Sequence, residues 1–455
     1  MRRFPVWLAV SGLVALSGAP AGLRAQGYSV NEHGSCAMGR AGTAVAAPCA
    51  DGSALFYNPA GIAGTKKGVW TISAGVTAIA PSGGFTDDAT GLGTDLKDKV
   101  IPVPALYAIG GLTDKLSVGI GAFAPYGLTT EWPENSQVRF LGYHSTIRAI
   151  YVQPTLGYQL HKMVKVGAGL DINLLFLKLE RRVDLSTQFA APGVTFGMLG
   201  FPVGTDIADV KLSGNGTGVG YHVGMIFEPT DRLSFGVRYL SRQKVEVEGA
   251  EAKIDQVFTG IALPRNNPLG APTGTPLDSI LAPQFRGAGP LQDQGGRTAL
   301  RMPEQLTAGV SVRPIDKLRL LFDVTYTNWK VFDTVAIITD LLPQSNLVED
   351  AGGTTAWRYG AEYEISPTTS IRGGYLFHDA ALPQGSVTPN LPEGKRSEFT
   401  IGFGTRLGSK LHVDAAYQYI NQQNRRGRTV EFGQPDNGLF EFKAHLFGAT
   451  LTYTF

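Results

Sequence analysis

The chain has 455 residues, a formal net charge of +2, 43% hydrophobic and 17% charged residues. The mean hydropathy is close to zero, and beyond the first residues no stretch reaches the ~18 apolar residues a spanning helix needs, which excludes a helical membrane protein. The near-neutral balance gives no reason to expect a nucleic-acid partner, and 58 glycines with 10% aromatics suit many short strands and turns.

Residues 1–25 read as a secretory leader. Arg2 and Arg3 form a basic start, Val6 to Leu16 an apolar core, and small residues follow, with cleavage expected after Ala25. A membrane anchor is the weaker reading, because the apolar run is too short. The leader holds Arg2, Arg3 and Arg24 and no acid, so its removal takes the formal charge from +2 to −1.

The next segment, about 26–65, is Gly/Ala-rich, almost free of charge and too irregular for a strand or an amphipathic helix. It carries the only two cysteines, Cys36 and Cys49, and the tripeptide Asn58-Pro59-Ala60. An exported chain meets an oxidising compartment, which allows a bridge closing a short loop. Two buried small residues are the alternative. Two cysteines without nearby histidine spacing do not make a metal site, and no metal or cofactor is expected.

From residue 66 onward apolar and polar residues alternate repeatedly. Leu116, Val118, Ile120, Ala122 and Ala124 share one face; so do Val164, Val166, Ala168, Leu170 and Ile172; so do Leu318, Leu320, Phe322, Val324 and Tyr326. The opposite faces carry Lys165, Asp171, Arg319 and Asp323 at mid-strand. Apolar outside and charged inside is the pattern of an outer-membrane barrel, with lipid outside and a polar lumen.

Strands are expected near 67–80, 100–112, 115–125, 145–159, 163–184, 209–228, 232–248, 297–313, 317–335, 353–365, 369–379, 395–407, 410–422 and 440–455. Tight turns such as Pro229-Thr230-Asp231 and Gly408-Ser409-Lys410 alternate with long connections, among them 186–208 and 249–296. Short turns belong to the periplasmic side and long loops to the outside. The fold predicted is all-β: a 14-stranded antiparallel transmembrane β-barrel over 66–455, with segment 26–65 as an N-terminal hatch, or plug, in the lumen. A barrel of this size leaks unless something fills it. Tyr326 and Trp329 are expected in an interfacial aromatic belt. The chain ends FGATLTYTF, and a last strand closing on Phe455 resembles the signal read by barrel-assembly machinery. Outer-membrane lipid, that machinery and a hydrophobic small molecule are the expected partners of a monomeric protein.

The chain carries, in order, NEHGSCAMGRAG (31–42), YNPAG (57–61), APYGLTTEW (124–132), LKLERRVD (177–184), MPEQLTAGVSVRP (302–314), DVTYTNWKVF (323–332) and LPEGKRSEFTIGFG (391–404). As an ordered set these stretches resemble the long-chain fatty acid transporter family of outer-membrane proteins, which includes aromatic-hydrocarbon channels. The resemblance implies capture in an apolar groove among the loops, a tighter lumen site above the hatch, and sideways release through a kink in the third strand. It assigns Phe56, Tyr57, Asn58, Pro59, Ala60 and Gly61 to the hatch gate, and Pro125, Tyr126 and Gly127 to the kink. It also makes Arg181 the partner of a carboxylate head group. A strand end is the alternative at 125–127, and an ordinary lumen charge the alternative at Arg181. The loop before the tenth strand, AIITDLLPQSNLVEDAGG, has Asp340, Glu349 and Asp350 but no Lys or Arg, where fatty-acid members place a second basic residue. An uncharged hydrocarbon ligand therefore stands beside a fatty acid.

The long loops carry unusual apolar content: Phe189, Phe196, Met198, Leu199 and Phe201 in one, Phe258, Ile261 and Leu263 in the other. Such patches mark binding, or loops packing on each other as a lid. Two other functions compete. A general diffusion porin lacks a plug, which segment 26–65 argues against. An outer-membrane enzyme needs a catalytic constellation, and the adjacent His144 and Ser145 are a weak one. A transporter without enzymatic chemistry is expected.

Overall fold

The computed structural model describes residues 27–287, 289–429 and 437–455; the leader expected over 1–25 lies outside them. Fourteen antiparallel strands close into a barrel. They are β1 (Trp70–Asp87), β2 (Ile101–Gly111), β3 (Leu116–Glu131), β4 (His144–His161), β5 (Val164–Asp184) and β6 (Asp206–Thr230). β7 runs in two segments, Leu233–Leu240 and Gln243–Gln256, and so does β8, Gln294–Met302 and Gln305–Ile315. β9 (Leu318–Thr327), β10 (Thr354–Ser366), β11 (Thr369–His378), β12 (Arg396–Leu407), β13 (Leu411–Gln422) and β14 (Gly438–Thr454) complete the circle, β14 pairing with β1. Tight turns and long connections alternate around the wall, as the sequence predicts.

The two-residue side-chain period of a strand sorts the residues. On β5, Leu170, Ile172, Leu174 and Phe176 are exposed on the lipid side, while Asp171, Asn173 and Leu175 are buried inside. Tyr326 faces outward as a belt residue should, but Trp329 does not. It is 1% exposed and packed inside the barrel, 4.8 Å from Tyr28 and 6.0 Å from Tyr126 between ring centroids. Alternation already places it there: Tyr326 and Trp329 are three positions apart, so they fall on opposite faces, and Trp329 stays on the inward row of Asp323, Thr325 and Thr327.

Residues 28–63 fill the lumen and are almost wholly buried. Short helices and turns satisfy part of their backbone amides, and inward side chains of the wall meet others. Ser35 N donates to Thr450 Oγ1 (3.0 Å), Ala41 N to Thr400 Oγ1 (3.0 Å), and Ala44 N and Val45 N to Asp323 Oδ2 (2.9 and 3.0 Å). Arg40 is buried beside Glu362, which Arg372 links in turn to Asp414. The wall is pared back to admit the plug: a Cβ at Gly236 would stand 2.0 Å from Val45 O, and one at Gly224 2.1 Å from Asn58 Oδ1. Cys36 and Cys49 are joined by a disulfide within this segment.

Candidate ligand cavity and wall opening

The wall is not uniformly closed. β2 pairs with β3 only from Leu106↔Ala122 to Gly111↔Ser117. Above that point residues 101–105 and 123–131 lose each other. β3 does not end at Pro125; it passes through a bulge there, with Ala124 and Pro125 together opposite Ile150 of β4, and continues to Glu131. Proline cannot donate to a ladder and a bulge bends its strand away from one neighbour, so this is where pairing with β2 fails.

The edge so exposed does not remain bare. Ser29 of the plug forms an antiparallel bridge with Tyr126. Val30 N donates to Pro125 O (2.9 Å) and Gly127 N to Tyr28 O (2.9 Å). The plug thus lends β3 the backbone partner that β2 withdraws. Tyr126 is fully buried and its hydroxyl donates to Pro303 O (2.9 Å) at the break in β8.

A cavity of about 620 Å³ lies behind this opening. Its lining runs from Tyr28, Glu32 and Phe123 inside to Val76 and Leu106, which are 42% and 56% exposed on the outer face. It therefore crosses the wall. A second cavity, of about 100 Å³, lies further into the lumen. Leu177, Leu179, Leu212, Val247, Leu300, Phe332, Val335, Leu347 and Leu391 dominate its lining, with Lys178, Glu349 and Asn390. Leu128 and Ile147 belong to both linings and form the partition. Burial pushes the Glu349 carboxyl up to about 7, against the pull of the Arg428 guanidinium.

The residues singled out from sequence fall in different places. Phe56 and Tyr57 lie in the short helix Ala54–Tyr57; Phe56 packs against Phe123 of β3 (5.5 Å) and under the Arg238 guanidinium (4.5 Å). Asn58 caps the turn Pro59–Ile62; its Nδ2 donates to Val45 O (2.7 Å) within the plug and to Met225 O (3.0 Å) of the wall. Ala60 is buried and Gly61 exposed. Pro125, Tyr126 and Gly127 are at the opening. Arg181 lies on the inward row of β5, one step outward of Leu179, and is not part of the lining of either cavity.

The apolar loop residues divide. Phe196, Phe201, Ile261 and Leu263 pack with Leu185, Ile207, Leu277 and Leu281 into a satellite core that joins the two loops. Phe189, Met198 and Phe258 remain exposed, and Leu199 half-exposed. The first set packs the two loops on each other, as the lid reading expects; the second set is left on the surface.

Sequence reasoning missed four residues of the site. Tyr28 and Asn390 carry no local signal. Trp329 was assigned to the lipid boundary. Glu349 is legible only as one of three acids in its loop, beside Asp340 and Asp350. It also missed a buried chain, Thr155 Oγ1 to His222 Nε2 (3.0 Å) and His222 Nδ1 to Asp171 Oδ1 (2.5 Å), whose members are all enclosed in the wall. His144 and Ser145 form no such chain: His144 Nδ1 pairs with Glu180 (2.9 Å), and alternation turns Ser145 to the other face.

Residues 17–455 match the family model described as outer membrane protein transport protein (OMPP1/FadL/TodX). The long-chain fatty acid transport protein of Escherichia coli O6:H1 is 25% identical over 442 residues, spanning 94% of each chain. A Pseudomonas aeruginosa FadL homologue superposes with a TM-score of 0.75 at 19% identity, covering 94% of this chain and 99% of that one. The Pseudomonas putida toluene transporter TodX gives 0.64 at 16% identity, covering 95% and 99%. The chain belongs to the OMPP1/FadL/TodX family of outer-membrane transport proteins: it is an outer-membrane β-barrel that carries hydrophobic compounds, and not an enzyme.

Proposed function

We propose that this protein takes up apolar molecules by sideways release: capture on the exposed Phe189, Met198 and Phe258, residence in the inner cavity, passage between Leu128 and Ile147, and exit between β2 and β3 into lipid. The observation that carries this reading is the cavity lined on both faces of the wall where the β2–β3 ladder stops. Physical cost favours it. Exposing each methylene to water costs about 0.8 kcal/mol, so a route that stays apolar avoids a barrier that an aqueous pore imposes. The plug strip 28–30 is the moving part, because two backbone hydrogen bonds hold it where a whole ladder holds other joints. The names of relatives point to a fatty acid in one case and toluene in another. Arg181 stands outside the inner cavity, and we assign it no contact with a ligand seated there.

The test is to fill the opening. Ala124→Trp should lower passage of p-xylene into proteoliposome lipid about tenfold while leaving binding to the protein intact; Pro104→Trp, from the other side, should act alike. Uptake unchanged in both folded variants refutes lateral exit. Rapid swelling of wild-type proteoliposomes in sugar solutions would establish an open porin instead.

A further inference from the structure

The inner cavity contains polar atoms with nothing to bond. Glu349 is 8% exposed, and its Oε2 is buried without a hydrogen-bond partner. Asn390 sends its Nδ2 to Leu141 O (3.0 Å), which fixes the orientation of the amide and leaves Oδ1 buried and unpartnered. Both residues line the same aliphatic chamber. The Asn390 Oδ1 lies against Gly142, where a Cβ would stand 1.9 Å from it, which leaves Glu349 Oε2 as the acceptor to be met. Two donors of the lining are committed elsewhere: the Lys178 ammonium to Glu180 Oε1 (2.9 Å) and the Thr298 hydroxyl to Ala336 O (2.8 Å). Buried acceptors left unmet cost free energy unless something supplies a proton to share.

We infer that the inner cavity selects an apolar molecule bearing one hydroxyl group, a phenol or alcohol, with Glu349 as the specificity-determining acceptor. This rests on the transport reading above and narrows its ligand. A dry apolar cavity of roughly 150 Å³ takes a benzene ring; this chamber, about 100 Å³, is smaller, so a substituted ring enters by displacing the partition of Leu128 and Ile147. Charge agrees with a hydroxyl. A carboxylate brought beside Glu349 meets a like charge in low dielectric, whereas a hydroxyl donates into it.

The experiment uses three ligands of one shape, p-cresol, p-xylene and 4-methylbenzoate. Each is titrated by equilibrium dialysis into the leader-free protein in lipid nanodiscs at pH 8.5, with protein-free nanodiscs as the blank. Glu349, pushed up to about 7, is ionised there, and a phenol is not. The expected result is p-cresol at least about tenfold tighter than p-xylene, with 4-methylbenzoate weakest. Glu349→Leu should erase the p-cresol preference with p-xylene affinity held within about twofold, and Glu349→Gln, which keeps an acceptor oxygen, should restore part of it. If Glu349→Leu fails to fold, Glu349→Gln alone takes its place, with the preference reduced several-fold. Equal binding of p-cresol and p-xylene to the wild type overturns the inference and leaves the transport reading standing. Binding of none of the three overturns both.

Discussion

Two joints of the same wall behave differently. Where the barrel closes, β1 meets β14 in continuous register from Thr71↔Thr454 to Asp87↔Gly438. Where β2 meets β3, register lasts from Leu106↔Ala122 to Gly111↔Ser117 and then stops. The closing seam supplies its own hydrogen bonds along its whole length. The second joint borrows two from the plug, through Tyr28 and Val30. The contrast teaches that an opening in a barrel need not be a weak seam in general. It is a local failure of pairing at one bulge, with Pro125 on β3 and Pro102 and Pro104 on the facing stretch of β2, and it is covered by backbone from another part of the chain. Covering of that kind can be withdrawn without unzipping the barrel.

The largest expected effect breaks the strong joint and leaves the weak one alone. Phe440, fully buried, packs on Phe85 (4.7 Å) at the outer end of the closing seam. Phe440→Ala should cost about 3–5 kcal/mol of barrel stability in denaturant unfolding, with no change in the rate at which p-xylene reaches lipid. A change in that rate would mean that the two joints are not independent.

The next effect lies in the plug. Its disulfide, Cys36–Cys49, closes a loop with a sequence separation of 13, and such a bridge is worth about 2–3 kcal/mol by constraining the unfolded segment. The double variant Cys36→Ala/Cys49→Ala should raise proteolysis and amide exchange within 35–50 and leave strand amides of the seam protected. Equal loosening of plug and seam would show that the bridge stabilises the barrel as a whole.

How much of this was legible in the sequence follows from the range of each interaction. The alternation of β5 and β9 is a two-residue period, visible in any short window, and the tight turns that punctuate it are local too. The third strand was cut short because Pro125 and Gly127 read locally as an end. What lets the strand continue to Glu131 is pairing with β4, from Tyr126↔Ala149 to Glu131↔His144, and on its other edge at 125–127 a plug strip, Tyr28–Val30, almost a hundred residues away. The first strand was expected to stop near residue 80 and runs to Asp87, its outer part paired with Gly438–Lys443 of β14 and with residues 93–95. Trp329 is a different case: it stands three positions after the outward Tyr326, so the two-residue period alone places it inside and a shared belt with Tyr326 is ruled out locally. The inner cavity is the extreme case. Glu349 and Asn390 sit in different long connections, and nothing in either stretch announces that they share a chamber.

The smallest expected effect probes the weak joint most directly. The Tyr126 hydroxyl reaches across the lumen to Pro303 O, a carbonyl at the break between the two segments of β8. Tyr126→Phe keeps the ring against Tyr28 and Trp329 but leaves that carbonyl buried and unmet, a loss of about 1–2 kcal/mol. The loss falls on the residue between the two borrowed hydrogen bonds. Exchange of the Gly127 amide, which donates to Tyr28 O, should therefore quicken several-fold, while exchange of the Ala80 amide, in the seam opposite His445, stays as it is. An equal change at both amides would mean that the plug strip is held by the whole barrel rather than by the edge of β3, and the distinction between the two joints would not survive.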